Sequence, residues 1–148
     1  MKPKKIKKIF KEGAIPASFI ADSIAKHQSK TGIGAHSIFL GQVRADEIDG
    51  KTVQSIEYTA YEEMAEKEVH DIRESAFEKF DLSCMHIYHS LGQVPVGEIC
   101  LFVFTSSAHR GDCTEACQYL VEEIKAKAPI FGKEIFEDES HQWKVNRP

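Results

Sequence analysis

The apolar and polar positions alternate along the chain between strand-like and helix-like patterns. Residues 99–104 form an unbroken apolar run, rich in aromatic and β-branched residues and too short for a helix, which predicts a strand buried on both faces. Over residues 112–127 the apolar residues recur every three or four positions, which predicts an amphipathic helix. Residues 106–112 are therefore expected to form a strand-to-helix turn.

The same reasoning predicts the remaining elements. A long helix is expected over residues 62–80, with Met64 among the apolar residues of its core face, and a short helix over residues 19–24. Period-two patterns predict strands at residues 37–44, 53–61 and 84–90, and clusters of polar and turn-forming residues predict a mobile loop at 45–52 and a turn-rich link at 91–97. The sum is an α+β fold, with a mostly antiparallel sheet and helices packed on it, in a single domain spanning residues 1–148.

The predicted turn has the features of an anion site. Free backbone N–H groups and the positive end of a helix dipole lie at such a turn, and His109 and Arg110 add hydrogen-bond donors for a phosphate or a carboxylate. An exposed arginine beside an ordinary turn histidine is the alternative.

Further along the helix, Lys125 follows Val121 by four residues and lies in line with the apolar row. Partial burial there would lower its pKa and favour proton transfer or nucleophilic attack, whereas the alternative is a lysine that reaches solvent from the last helical turn.

Composition and charge exclude several classes of protein. The chain has 148 residues, is 42% hydrophobic and 28% charged, and carries a formal charge of −4, which argues against a dedicated nucleic-acid or membrane-surface protein. The lysines within residues 2–8 alternate with apolar residues, which predicts a basic edge strand or a flexible start. No apolar stretch reaches the roughly 18 residues of a membrane span, and no signal peptide is evident. We therefore expect a cytoplasmic protein with reduced cysteines.

One metal pattern occurs in the predicted turn and helix. His109, Cys113 and Cys117 are spaced four apart and could share a helical face. Both cysteines, however, already occupy core positions of the predicted helix, and a structural zinc site normally has a fourth ligand. The sequence favours no metal.

Several motifs occur together in a fixed order. They are Gly41-Gln42-Val43-Arg44, Tyr58 and Tyr61-Glu62, His89-Ser90-Leu91-Gly92, Val96-Gly97-Glu98, Ser107-Ala108-His109-Arg110, the run of residues 125–131 with Glu134, and Trp143-Lys144. In order and spacing this set resembles the catalytic (large) subunit family of molybdopterin synthase. The resemblance extends from about Phe10 to Asn146.

The resemblance implies a hammerhead-like two-layer α/β arrangement and a sulfurtransferase of molybdenum cofactor biosynthesis. Members of the family form a homodimer that binds two small ubiquitin-like sulfur carriers, giving a heterotetramer. The carrier's C-terminal Gly-Gly thiocarboxylate delivers sulfur to cyclic pyranopterin monophosphate, producing the dithiolene of molybdopterin. The resemblance implies no cofactor, no metal, no nucleic acid and no membrane.

The resemblance also assigns roles to individual residues. Lys125 becomes the residue at the chemistry, Phe39 shapes the pocket, and Glu134 is the matching acid. Arg44, His109 and Arg110 are expected to bind the phosphate. The family's second functional lysine corresponds to Gly132 here, so Lys133 is a weaker catalytic candidate. Lys133 could reach the same pocket if the glycine lets the backbone shift, whereas in a regular strand the one-residue offset points its side chain to the other face. A different class of function, a non-catalytic anion- or nucleotide-binding module, would use the His109-Arg110 turn without Lys125.

Overall fold

The structure, a computed structural model, describes residues 5–146. Its helices and strands follow one another in the order β1 (Phe10–Glu12), α1 (Ala17–His27), β2 (Ala35–Gln42), β3 (Glu47–Ile48), β4 (Lys51–Ala60), α2 (Glu62–Lys79), β5 (Cys84–Pro95), β6 (Ile99–Ser107), α3 (Arg110–Lys127), β7 (Ile130–Phe136) and β8 (His141–Trp143). Within these residues the strands form one sheet in the order β2-β6-β5-β4-β7-β8, with β1 beside β5 and β3 beside β4. Every pairing is antiparallel except that of β1 with β5, so the predicted α+β fold is confirmed.

β5 is longer than the sequence predicted, because residues 91–95 continue the strand instead of forming a link. Its first half pairs with β6, and its second half pairs with β4, where Tyr58 lies opposite Gly92. The strand bends at Gly92, which has a φ of +81° that other residues rarely adopt. A Cβ there would also collide with the Glu12 carboxylate. The predicted end of the strand at Ser90 was therefore wrong, and only the last residues of the predicted link at 91–97 lie outside the strand.

The predicted loop at residues 45–52 contains a β-hairpin, so that prediction was wrong for the residues in it. β3 pairs with the start of β4 through Glu47 opposite Thr52 and Ile48 opposite Lys51. The two residues between the strands, Asp49 and Gly50, have φ values of 52° and 77°. Positive φ at both positions is what a two-residue hairpin turn requires, and Asp-Gly is one of its preferred sequences.

The core lies on both faces of the sheet. α2 and α3 cover one face, where Val69, Ile72, Leu120 and Ile124 pack with Ile87 and Val103. α1 covers the other face, where Ile15 and Ile20 pack on Phe102 and Phe104. β6 accordingly is buried along its length, as its continuous apolar run predicted. A separate cluster that includes Val43, Val53, Val94 and Phe136 fills the end of the sheet built from β4, the second half of β5, and β7.

Two predicted details of the surface differ in the structure. Met64 was expected on the core face of α2, but it is 64% exposed, whereas Glu66 is buried and accepts a hydrogen bond from the Ile9 backbone N–H at 3.1 Å. The basic start was expected to be an edge strand. Residues 5–9 form no strand, and Lys8 pairs with Glu66 at 3.7 Å; Lys2 and Lys4 lie outside the described residues. No helix within residues 5–146 is long and apolar enough to cross a membrane.

Candidate active site

A pocket of about 1150 Å³ opens where β2, β4, β7 and β8 meet the C-terminal end of α3. Four of the residues singled out from the sequence line it, namely Phe39, Arg44, Lys125 and Glu134. Its wall also contains residues that the sequence did not single out for chemistry, namely Tyr58, His89, Cys100 and Lys144. The pocket therefore combines three cationic side chains, Arg44, Lys125 and Lys144, with three acids, Asp46, Glu47 and Glu134, above a floor of buried polar side chains.

Lys125 reaches the pocket because it lies in the last turn of α3, directly after buried Ile124. More than a third of the residue stays exposed, yet the pKa of its amine is lowered, first by burial against the pocket wall and then by the positive charge of Lys144. The side-chain amide of Asn146 donates to the Lys125 carbonyl at 3.3 Å and ties the end of the chain to this helical turn. A lysine whose pKa is lowered in this way gives up its proton more readily than an ordinary surface lysine.

The floor of the pocket is formed by three buried side chains. Tyr58 Oη donates to Cys100 Sγ at 3.4 Å, and burial raises the pKa of this tyrosine well above its usual range. The His89 ring packs edge-on against Tyr58 with centroids 4.9 Å apart, and its Nδ1–H donates to the Ser90 carbonyl at 2.8 Å. Burial lowers the pKa of His89 to about 4, and Lys125 also lowers it. At neutral pH Tyr58 and His89 are therefore both uncharged.

Alternation along β7 separates two neighbouring residues of the predicted site. Gly132 and Glu134 face the pocket, and the buried Glu134 accepts a hydrogen bond from the Gln142 side chain at 3.3 Å. Lys133, between them, does not line the pocket, and its Nζ lies 3.5 Å from the carboxylate of Glu57. This is the one-residue offset that the strand period predicts. The lysine that does line the pocket from this side is Lys144, just beyond β8.

Phe39 and Arg44 lie at the β2 side of the pocket. Phe39 is partly buried and packs against the core beneath α2 and α3, so its ring is fixed where it lines the wall. Arg44 is at the mouth, with 73% of its side chain exposed, and its guanidinium donates to Asp46 at 3.2 Å. An arginine held so loosely is free to meet an anionic ligand as it enters.

His109 and Arg110 lie at the other end of β2 and do not line this pocket. His109 caps α3, and both residues are exposed. The first turn of the helix is held by Ser107, whose hydroxyl accepts the Cys113 N–H at 3.0 Å and donates to the His109 carbonyl at 2.5 Å. Gly34 lies so close to this turn that a Cβ would collide with the Ala108 carbonyl. Within one chain the turn lies beside Ala35, whereas Phe39 is the first residue of β2 that lines the pocket, four residue steps or about 13 Å further along the strand.

The metal pattern seen in the sequence is not assembled. His109 is exposed, whereas Cys113 and Cys117 point into the core with 0% and 5% exposure. Across residues 5–146, no three His, Cys, Asp or Glu side chains are grouped to hold a metal ion. All four cysteines are free and buried.

Comparison with known proteins identifies the family. The model of the MoaE protein family matches residues 15–127. The chain belongs to the MoaE family. Members similar to it include the molybdopterin synthase catalytic subunit of Homo sapiens, 44% identical over 114 residues, which are 77% of this chain and 60% of the human protein. The subunit of Drosophila willistoni is 44% identical over 118 residues, or 78% of this chain and 32% of that protein.

The family fold is equally clear among solved structures. Molybdopterin synthase from Staphylococcus aureus superposes with a TM-score of 0.79 at 29% identity, covering 96% of this MoaE chain and 100% of that one. The complex of subunits 1 and 2 of molybdopterin-converting factor from Helicobacter pylori matches with a TM-score of 0.79 at 19% identity, which shows the shared fold. The chain spans between about a third and just under two thirds of the length of the first curated relatives.

Proposed function

We propose that this MoaE chain is a sulfurtransferase. It transfers sulfur from the C-terminal thiocarboxylate of a small ubiquitin-like carrier to cyclic pyranopterin monophosphate and forms the molybdopterin dithiolene. The observation that carries the proposal is the single pocket in which Lys125, Arg44 and Glu134 come together, in a member of a family whose curated relatives are named molybdopterin synthase catalytic subunit. The cytoplasm, where the four free cysteines would stay reduced, is its proposed location.

Lys125 supplies the chemistry in this proposal. When the thiocarboxylate sulfur forms a bond to a carbon of the pterin side chain, the carbon–oxygen bond at that carbon breaks and negative charge develops on the departing oxygen. The Lys125 ammonium stabilises this charge, or donates a proton to it, at the moment that it forms. Water then hydrolyses the resulting thioester, which leaves the sulfur on the pterin and releases the carrier with an ordinary carboxylate. A lysine with a lowered pKa performs such a transfer more readily than an ordinary surface lysine. Lys133, which pairs with Glu57 away from the pocket, is a weaker candidate for a catalytic role.

The substrate's cyclic phosphate calls for further cations, and a second copy of the chain can provide them. β2 is the last strand of the sheet and exposes Ile38 and Leu40 by 36% and 41%. If two copies pair antiparallel along this edge about a twofold axis, the Ala35 end of one β2 meets the Gln42 end of the other. His109 and Arg110 of the partner subunit then lie at the Arg44 side of the pocket. The proposed enzyme is accordingly a homodimer with one carrier per subunit.

The function is tested by mixing the purified chain with thiocarboxylated carrier and cyclic pyranopterin monophosphate. Product is detected as the oxidised fluorescent derivative of the dithiolene pterin. Lys125→Met should abolish turnover while leaving the fold and carrier binding intact. Lys127→Met is the matched control, because Lys127 lies two residues on and pairs with Glu123 at 2.9 Å on the surface. Absence of product with the unaltered chain, or near-normal product with Lys125→Met, would refute the assigned reaction or the assigned role.

The exposed His109-Arg110 turn also fits a second candidate function, a non-catalytic anion-binding module. This module would need the turn but not Lys125. We expect Arg110→Ala to weaken binding of the pterin phosphate at least tenfold by calorimetry. Loss of binding in Arg110→Ala, together with no turnover by the unaltered chain, would favour the module, whereas unchanged binding would remove Arg110 from the site.

A further inference from the structure

Lys144 lines the pocket with a positive charge, but the proposed reaction assigns no role to it. Its backbone N–H donates to the Gly132 carbonyl at 2.8 Å, so its position is fixed beside the middle of β7. From there the residue lines the same pocket as Lys125. Lys133 projects from β7 on the other side, toward Glu57. On this wall of the pocket, among the described residues, Lys144 is therefore the lysine available to a ligand.

Gly132 places no side chain on the wall next to Lys144, and the wall has no room for one. Its missing side chain would point toward Ile56 and Tyr58, where even a Cβ would lie 3.0 Å and 3.2 Å from the nearest atoms. No side chain of β7 therefore stands between Lys144 and the pocket floor at this position. The chain thus keeps a cation here, but brings it from the segment after β8 instead of from β7.

The two lysines act on the same space. The charge of Lys144 lowers the pKa of Lys125, and both lysines lower that of His89 beneath them. Among the acids that could offset this positive charge, Glu134 is already hydrogen-bonded to Gln142, and Glu122 lies on α3 to the side of the pocket. The other titratable groups that line the pocket are Tyr58 and Cys100, which are bonded to each other, Arg44 and Asp46, which are paired at the mouth, and the exposed Glu47. Two ammonium groups that repel one another gain most from an anion placed between them.

The surroundings indicate which anion this is. Around Lys144 the rim is apolar and exposed, with Phe131, Trp143 and Val145 exposed by 43%, 59% and 73%. Tyr61, 64% exposed, extends this rim by packing edge-on against Phe131. Exposed aromatic residues around a pocket are typical of a surface that binds protein. Arg44, in contrast, lies at the polar β2 side of the mouth, where a phosphate would enter.

We propose that Lys144 is a positioning residue that binds the anionic C-terminal group of the carrier and holds it beside Lys125. This inference rests on the proposed function, since it requires a carrier whose chain ends in the pocket. The apolar rim receives the tail of the carrier, Lys144 binds its terminal carboxylate or thiocarboxylate, and Arg44 remains available for the substrate phosphate. No bond forms or breaks at Lys144.

The test compares the binding of two forms of the carrier by calorimetry at low salt. One form ends in the free Gly-Gly carboxylate, and the other lacks these two residues. Lys144→Met should weaken binding of the complete carrier about tenfold and leave binding of the shortened carrier unchanged. Lys144→Arg should restore the affinity, because it restores the charge, and Lys127→Met should change neither affinity. The affinity for cyclic pyranopterin monophosphate alone should stay within about twofold in all variants.

A second readout does not depend on the carrier. In the free protein, NMR of isotopically labelled lysine amines measures the pKa of Lys125. This pKa should be higher in Lys144→Met than in the unaltered chain, and it should not change in Lys127→Met. Unaltered affinity for the complete carrier in Lys144→Met would overturn the role of Lys144 alone. Equal losses of affinity for the complete and the shortened carrier would overturn the proposal and would indicate that Lys144 contacts the docking surface of the carrier. A loss of affinity for cyclic pyranopterin monophosphate alone would also overturn it and would assign Lys144 to the substrate phosphate. Failure of the unaltered chain to bind any carrier would instead overturn the proposed function, and this inference with it.

Discussion

Replacing Gly132 by alanine should destabilise the protein, although alanine usually favours a strand over glycine. The added Cβ would lie 3.0 Å from Ile56 Cγ2 and 3.2 Å from Tyr58 Cε1. Neither neighbour can move easily, since the two residues are only 4% and 7% exposed and Tyr58 is also hydrogen-bonded to Cys100. The substitution therefore adds volume to a wall that is already closely packed.

The expected size follows from two opposing terms. Overpacking of a buried site costs about 1–3 kcal/mol. Alanine also lowers the conformational entropy of the unfolded chain, which stabilises the folded protein by about 0.4–1 kcal/mol. This gain applies here because the φ of Gly132 is not in the left-handed region and suits alanine. The net loss in the free energy of unfolding should lie within roughly 0–2.6 kcal/mol, with a midpoint of about 1.3 kcal/mol. In a chain of 148 residues each kcal/mol corresponds to about 2–4 °C in Tm.

The assay is urea unfolding at one fixed protein concentration, because association of subunits would make apparent stability depend on concentration. Gly111→Ala is the matched control. It lies in the first turn of α3 with nothing within 4 Å of its Cβ, so alanine should stabilise the protein by about 0.5–1 kcal/mol. If Gly132→Ala were as stable as the unaltered chain while Gly111→Ala behaved as expected, the reasoning about the pocket wall would be wrong.

Two further predictions concern the core and its histidines. Leu120→Ala, at a side chain with 0% exposure, should lower the free energy of unfolding by about 2–5 kcal/mol, whereas Met64→Ala, at 64% exposure, should change it by less than about 0.5 kcal/mol; equal effects in urea unfolding would contradict the packing described. Burial lowers the pKa of His86, and of His89, from 6.5 to about 4, so between these values the unfolded chain binds more protons than the folded one. Stability should therefore rise with pH from about 4 to 6.5 and level off above, by up to about 1.4 kcal/mol per pH unit for each histidine. His86→Gln should reduce this slope, and a flat profile in the unaltered protein would show that the histidines are not held neutral.

The sequence predicted the long elements well because their patterns are local. The helices α2 and α3 and the strand β6 begin at or within two residues of their predicted starts, since many apolar positions report the same period. β5 was cut short because Gly92 is a turn-forming residue by type. Whether its positive φ ends a strand or bends one depends on the partner strands, and these come from distant parts of the chain.

The candidate site shows the same division between local and distant information. Motif resemblance singled out Phe39, Arg44, Lys125 and Glu134, which line one pocket. It could not show that His109 lies at the far end of β2 from that pocket, because this depends on the path of a whole strand. Lys144 was quoted within a motif but given no role, because its place beside Gly132 results from the hydrogen bonding of the segment after β8. Pairing across strands, more than residue type, decided which side chains share the pocket.

The bend of β5 at Gly92 divides the sheet into two parts that have separate hydrophobic clusters. Lys125, on α3, belongs to the part in which α2 and α3 pack on β5 and β6, whereas Glu134 and Lys144 belong to the part formed by β4, β7 and β8. Separately packed parts of a fold can open locally at a lower free energy than global unfolding. Amide protons of β7 should thus exchange with solvent sooner than those of β6. A ligand that contacts both walls would couple these two parts of the fold. Its binding would then slow the exchange of the β7 amide protons with solvent, even without a change in the conformation of the protein.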